Sequence, residues 1–139
     1  MRIALLCILR LGLGGLFVYA GAAKLADPVQ FAIAIGNYRI FPSLAPWAAV
    51  ILPHVEIGCG LATIVLPRAW ARSGALVLFG LMLTFTGAVS IALARGIDID
   101  CGCFGGQSGP ITGLTVARDM ALLGAALALV VLDREPSSV

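Results

Sequence analysis

The chain alternates between long apolar runs and short polar interruptions, and the runs set its architecture. Four stretches, residues 3–23, 44–66, 70–94 and 111–132, are mostly apolar and about as long as a helix needs to cross a bilayer, roughly 20 residues. In lipid the backbone must satisfy its own hydrogen bonds, so runs of this length read as helices. The interruption after the first run has a pattern of its own. Asp27-Pro28 opens it, and Phe31, Ile35 and Tyr38 recur at i, i+4 and i+7, the spacing of one helical face. This predicts a short amphipathic helix lying on the membrane face, with Asp27 as N-cap and Pro28 as its first residue, followed by Val29–Phe41. Pro42 and Pro46 then reset the chain before the second run. The expected fold is an all-α integral membrane protein: a four-helix transmembrane bundle with a short amphipathic helix between helices 1 and 2.

Composition points the same way. Of 139 residues, 60% are hydrophobic and 12% charged, and the mean hydropathy is +1.06. A soluble domain carries roughly 25% charged residues. The length fits one domain, 1–139. A net charge of +2 without basic runs gives no footprint for nucleic acid, and the partner that composition demands is the lipid bilayer. Arg2 and Ala20-Gly21-Ala22 give the first run some likeness to a signal peptide. Its apolar core exceeds the usual 7–15 residues or so, so it is expected to stay as a span. Small residues recur at spacings of three and four in the third run (Ser73, Val77, Gly80, Thr84, Gly87) and the fourth (Ala117, Ala121, Gly124, Ala128). Such stripes are expected to be the faces on which the helices pack.

Charge placement bears on orientation and on the interior. Arg2, Arg68, Arg72 and Arg134 fall on the face of the N-terminus; Lys24, Arg39, Arg95 and Arg118 fall on the other. The count is even, but Arg68 and Arg72 crowd the shortest loop, where the positive-inside rule is strongest. Cytoplasmic termini are therefore expected. Ionisable groups inside a span are costly and mark function by default. Counted from the Lys24 face, Arg10 and Glu56 lie roughly 21 and 18 Å deep at 1.5 Å per residue, which predicts an Arg10–Glu56 ion pair. Arg10, Gly14, Phe17, Gly21 and Lys24 share one stripe; Glu56, Cys59 and Thr63 share another. Together they would line a polar cavity able to take a quinone, an analogy with other four-helix thiol oxidases at the level of architecture.

Cysteine supplies the candidate chemistry. Cys7 and Cys59 fall inside apolar runs and read as small hydrophobes. Cys101 and Cys103 sit in the polar, Gly-rich stretch Arg95-Gly96-Ile97-Asp98-Ile99-Asp100-Cys101-Gly102-Cys103-Phe104-Gly105-Gly106. This stretch strongly resembles the MauE (methylamine-utilisation) family of DoxX-like membrane proteins. The resemblance extends through Arg10-x-x-Leu13-Gly14-x-x-Phe17, Ala20-Gly21-x-x-Lys24-Leu25-x-Asp27-Pro28, Tyr38-Arg39, Pro42, Pro53-x-x-Glu56 and Arg118-Asp119. It implies a four-helix protein of the bacterial inner membrane, linked to maturation of a disulfide-rich periplasmic enzyme subunit alongside a thioredoxin-like partner. The Cys-Gly-Cys stretch would then lie outside the cytoplasm.

Three uses of the pair stay open. Residues i and i+2 reach disulfide distance only in a bent backbone, which Gly102 permits, and such a ring suits thiol–disulfide exchange. Two thiolates also suit Cu(I) or Zn, as in a protein handling metal or small solutes. A structural disulfide in a non-catalytic assembly factor is the third. For the exchange reading, Cys101 and Cys103 are the catalytic pair. Lys24, Tyr38, Glu56, Arg118, Asp119 and Arg10 are its supporting polar residues. His54 reads as a hydrogen-bonded helix residue.

Overall fold

A computed structural model describes residues 1–97 and 112–134; Cys101, Cys103 and the rest of their stretch lie outside the described residues. Among those described, the regular structure is entirely helical. α1 spans Arg2–Ala26, α2 Pro28–Asn37, α3 Ala45–Val65 (entered through a 3-10 turn at Pro42–Leu44), α4 Arg68–Ala94 and α5 Gly113–Leu132. The four expected spans are thus present, each within a few residues of its predicted limits, as a multi-pass membrane protein requires.

Local signals account for the ends. Asp27 caps α2, its Oδ1 accepting from the Gln30 N–H at 3.0 Å, and Pro28 is the first helical residue. α4 stops at Gly96, whose φ of +66° is costly for other L-residues. The Gly96 N–H donates to Leu93 O at 3.1 Å and the Ile97 N–H to Ala92 O at 3.0 Å, the paired bonds of a Schellman motif. Thr112 and Thr115 form a capping box that opens α5.

The outer surface explains the need for lipid. In the most apolar window of each span only 28, 28, 28 and 22% of residues are buried within the protein, so most apolar side chains face outward. Trp47 and Trp70 are exposed near opposite ends of the bundle, where amphipathic rings favour the membrane–water boundary. Inside, Leu6, Leu13, Phe17, Leu78, Met82, Ala126 and Leu129 form the main core.

α1 and α3 meet most closely. A Cβ on Gly21 would stand 2.8 Å from Pro53 O, and one on Gly14 2.7 Å from Gly60 O. These contacts set an antiparallel register in which α3 begins about one turn beyond the end of α1, and α3 also packs on α2. By contrast, the two small-residue stripes expected to be packing faces point outward. Ser73, Val77, Gly80, Thr84 and Gly87 are exposed on α4, as are Ala117, Ala121 and Gly124 on α5. A Cβ at Gly80, Gly87 or Gly124 would meet nothing within 4 Å. The reason in α5 is Asp119: an ionisable group in a span must face the interior, which turns the opposite stripe to the outside. In α4 the bulkier Leu78, Met82 and Val89 fill the centre instead.

Candidate functional site

The buried charges gather where α1, α3, α4 and α5 converge. Lys24 lies two residues before the end of α1, and its Nζ donates to both carboxylate oxygens of Glu56, at 2.6 and 2.8 Å. Both residues are almost fully buried, at 2% and 1% exposure. The same ammonium lies 5.3 Å from the centre of the Phe31 ring and 5.1 Å from that of Phe85, so two aromatic faces complete its surroundings. Taking such a pair out of water costs several kcal/mol per ion, offset only by close geometry and further favourable contacts; this site supplies the close geometry and two aromatic faces about the ammonium.

The expected Arg10–Glu56 pair does not form. Arg10 Nη2 instead meets Asp133 Oδ2 at 2.6 Å at the opposite end of the bundle. The depth count placed the start of the second span level with Lys24. In fact the close approaches of Gly21 to Pro53 and Gly14 to Gly60 put Glu56 between those two levels, within reach of the Lys24 side chain, and leave Arg10 beyond Gly14, at the end of the bundle where Asp133 lies. Asp133 was not among the candidate residues; its signal was an acid directly after the last apolar run.

Asp119, in α5, is 1% exposed. Its Oδ1 accepts from Arg118 Nε at 3.2 Å and Nη2 at 2.9 Å. Its Oδ2 is buried with no hydrogen-bond partner among the described residues. A cavity of about 20 Å³ runs between Lys24, Glu56 and Asp119, walled by Phe17, Met82 and Phe85. That is room for one water.

Beside this cluster, Tyr38 is buried and packs with Val89 and Ala92. It also borders an apolar pocket of about 250 Å³, which takes in Phe31, Phe41, Leu52 and Phe85. Phe85 lines both the pocket and the charged cavity. Neither Phe31 nor Phe85 was singled out as a site residue, because an aromatic in an apolar run carries no mark of a buried cation beside it.

The expected interior stripes hold in part. Gly14, Phe17, Gly21 and Lys24 are buried on α1, and Glu56 and Thr63 on α3. Cys59 is half-buried and Cys7 exposed on the outer surface; both are free thiols. The exposed His54 ring bonds to Val50 O at 2.6 Å through Nδ1. Among the described residues no group of three or more His, Cys, Asp or Glu is arranged to hold a metal.

The family described as "Methylamine utilisation protein MauE" matches residues 2–132. The chain belongs to the MauE family. Among curated proteins of that name, it is 37% identical over 124 residues to one from Paracoccus denitrificans, covering 87% of this chain and 66% of the relative. A second, from Methylophilus methylotrophus, is 32% identical, covering 88% of this chain and 66% of the relative. A third, from Paracoccus versutus, is 34% identical, covering 86% and 64%. The chain thus spans about two thirds of the length of these relatives. No solved structure matches it.

Proposed function

We propose that this MauE-family chain is a membrane component of methylamine utilisation that carries out thiol–disulfide exchange outside the cytoplasm through Cys101 and Cys103. The observation that carries the reading is a juxtaposition. The end of α4 and the start of α5, between which the Cys-Gly-Cys stretch falls in the sequence, lie at the end of the bundle that bears α2, and the Lys24–Glu56–Asp119 cluster lies beneath that end. Asp119 is six residues inside α5, about 9 Å from its start at 1.5 Å per residue. Each exchange oxidises the dithiol of one protein to a disulfide while reducing the disulfide of a thioredoxin-like partner to a dithiol, or runs in reverse. Two electrons and two protons move together. The cluster, with its orphaned carboxylate oxygen and room for one water, is suited to take up and return a proton. The apolar, aromatic pocket beside it would hold a quinone, should electrons pass on to a lipid-soluble acceptor. In this reading the chain sits in the bacterial inner membrane with its termini in the cytoplasm.

The test is a redox titration of the purified protein. A reversible two-electron couple is expected, at a potential above the roughly −300 mV of inert structural disulfides. Cys101→Ser and Cys103→Ser should each abolish it, and the variant retaining the attacking thiol should trap a mixed disulfide with a thioredoxin-like protein. Cys7→Ser and Cys59→Ser should leave it intact, since both lie within spans. A pair that resists strong reductant, with both Ser variants keeping full function, would make the disulfide structural. A pair that stays reduced and binds Cu(I) stoichiometrically would make it a metal ligand.

A further inference from the structure

The end of the bundle opposite the cluster carries five arginines, Arg2, Arg10, Arg68, Arg72 and Arg134, against one carboxylate among the described residues, Asp133. Two of the five are committed. Arg2 Nη2 donates to Leu132 O at 2.7 Å and Arg134 O at 3.2 Å, and Arg10 neutralises Asp133. The guanidinium groups of Arg68, Arg72 and Arg134 have no ion pair among the described residues. They surround a basin of about 500 Å³, bordered also by Ala69 and Asp133. Arg72 Nε is withdrawn from solvent there without an acceptor.

We infer that this basin holds the phosphate of an anionic phospholipid. Guanidinium groups present paired N–H donors that match phosphate oxygens, and being weakly hydrated they tolerate partial burial. The helix end adds to them. α4 starts after Pro67 with no side-chain cap and no acid in its first turn. Its first helical bond runs from the Ala71 N–H to Pro67 O, so the N–H groups of Arg68, Ala69 and Trp70 remain uncommitted at the positive end of a 27-residue helix. Asp133 does not cancel the site, because Arg10 already matches its charge.

The surroundings favour a lipid over free phosphate. Val65, Leu66 and Trp70, which flank Arg68 and Ala69 of the basin in the chain, are exposed, an apolar flank against which acyl chains would lie. The excess of guanidinium among the described residues selects an anionic headgroup, since the ammonium of phosphatidylcholine would be repelled. The inference is independent of the thiol chemistry.

Native mass spectrometry and thermal unfolding of the detergent-purified chain test it, with phosphatidylglycerol, phosphatidylcholine and inorganic phosphate as probes. One phosphatidylglycerol should be retained in preference to phosphatidylcholine and should raise Tm. Arg72→Gln should weaken retention about fivefold, as expected for ~1 kcal/mol per basic residue at an anionic surface. The triple variant Arg68→Gln/Arg72→Gln/Arg134→Gln should lose the preference, while Arg39→Gln/Arg95→Gln, at the other end, should keep it. Should the triple variant fail to fold, the three single variants, each read on folded protein, carry the test. Equal retention of the two lipids, or a preference that survives loss of the arginines, overturns the inference. A Tm rise reproduced by inorganic phosphate alone would overturn the lipid assignment in favour of a free-phosphate site.

Discussion

Lys24 reaches across from the end of α1 to hold both oxygens of Glu56, at 2.6 and 2.8 Å, with almost no access to solvent. The pair ties two antiparallel helices at a single register. That register also places Gly21 against Pro53 and Gly14 against Gly60, so electrostatics and close packing agree on how α1 meets α3.

Breaking the pair should be expensive, because it strands a charge. Glu56→Gln is expected to cost about 3–5 kcal/mol, and Lys24→Met/Glu56→Leu to recover much of that loss, since apolar replacement of a whole buried pair is often neutral. Arg10→Gln should add independently to Glu56→Gln, because Arg10 belongs to Asp133. Unfolding in mixed micelles measures all three. Non-additivity between Arg10 and Glu56 would contradict the separation of the two pairs.

The glycines split into two groups that substitution should separate. Gly21→Ala pushes a methyl towards the Pro53 carbonyl and the Ile57 side chain, so it should destabilise by about 1–3 kcal/mol through overpacking. Gly80→Ala and Gly124→Ala meet nothing. They should be neutral or stabilising by up to about 1 kcal/mol, the helix-propensity gain over glycine. The same unfolding assay reads both, and equal effects at Gly21 and Gly80 would mean that the α1–α3 contact is looser than described.

This contrast shows where the sequence was legible. The four spans follow from run length, and α2 follows from the Asp27-Pro28 start and the Phe31, Ile35, Tyr38 spacing, because those signals are local. Helix rotation is not local. Small residues permit close approach without requiring it, so the stripes on α4 and α5 read as packing faces although they point outward. Glu56 is marked by the cost of charge in lipid, whereas Lys24 and Asp119 are marked by the motifs of the family resemblance. Which charge meets which depends on the register between α1 and α3, fixed by the close approach of Gly21 to Pro53 and Gly14 to Gly60. Phe85 and Asp133 carried no comparable mark.

Orientation has its own measurement. With Arg68 and Arg72 in the shortest connection, the end bearing the termini is expected in the cytoplasm. In intact cells, a membrane-impermeant maleimide should leave Ala69→Cys unlabelled in a chain otherwise free of cysteine, and should label reduced Cys101 when it is the sole cysteine. The reverse pattern would invert the protein and remove the basis for chemistry outside the cytoplasm.

The cluster itself can be asked whether it moves a proton or only joins helices. Asp119 Oδ2 is buried without a hydrogen-bond partner among the described residues, and Asp119 lines a cavity together with Glu56; intramembrane acids so placed are candidates for proton relays. If dithiol oxidation delivers a proton to this site, the infrared difference spectrum between dithiol and disulfide forms should contain a protonated-carboxyl band that shifts in D₂O. Asp119→Asn or Glu56→Gln should remove it, whichever residue carries the proton. Asp119→Asn keeps an acceptor for Arg118, so it should leave the fold intact and allow the spectrum to be read. A difference spectrum without any carboxyl signal, from protein whose thiols cycle normally, would assign Lys24, Glu56 and Asp119 to structure alone.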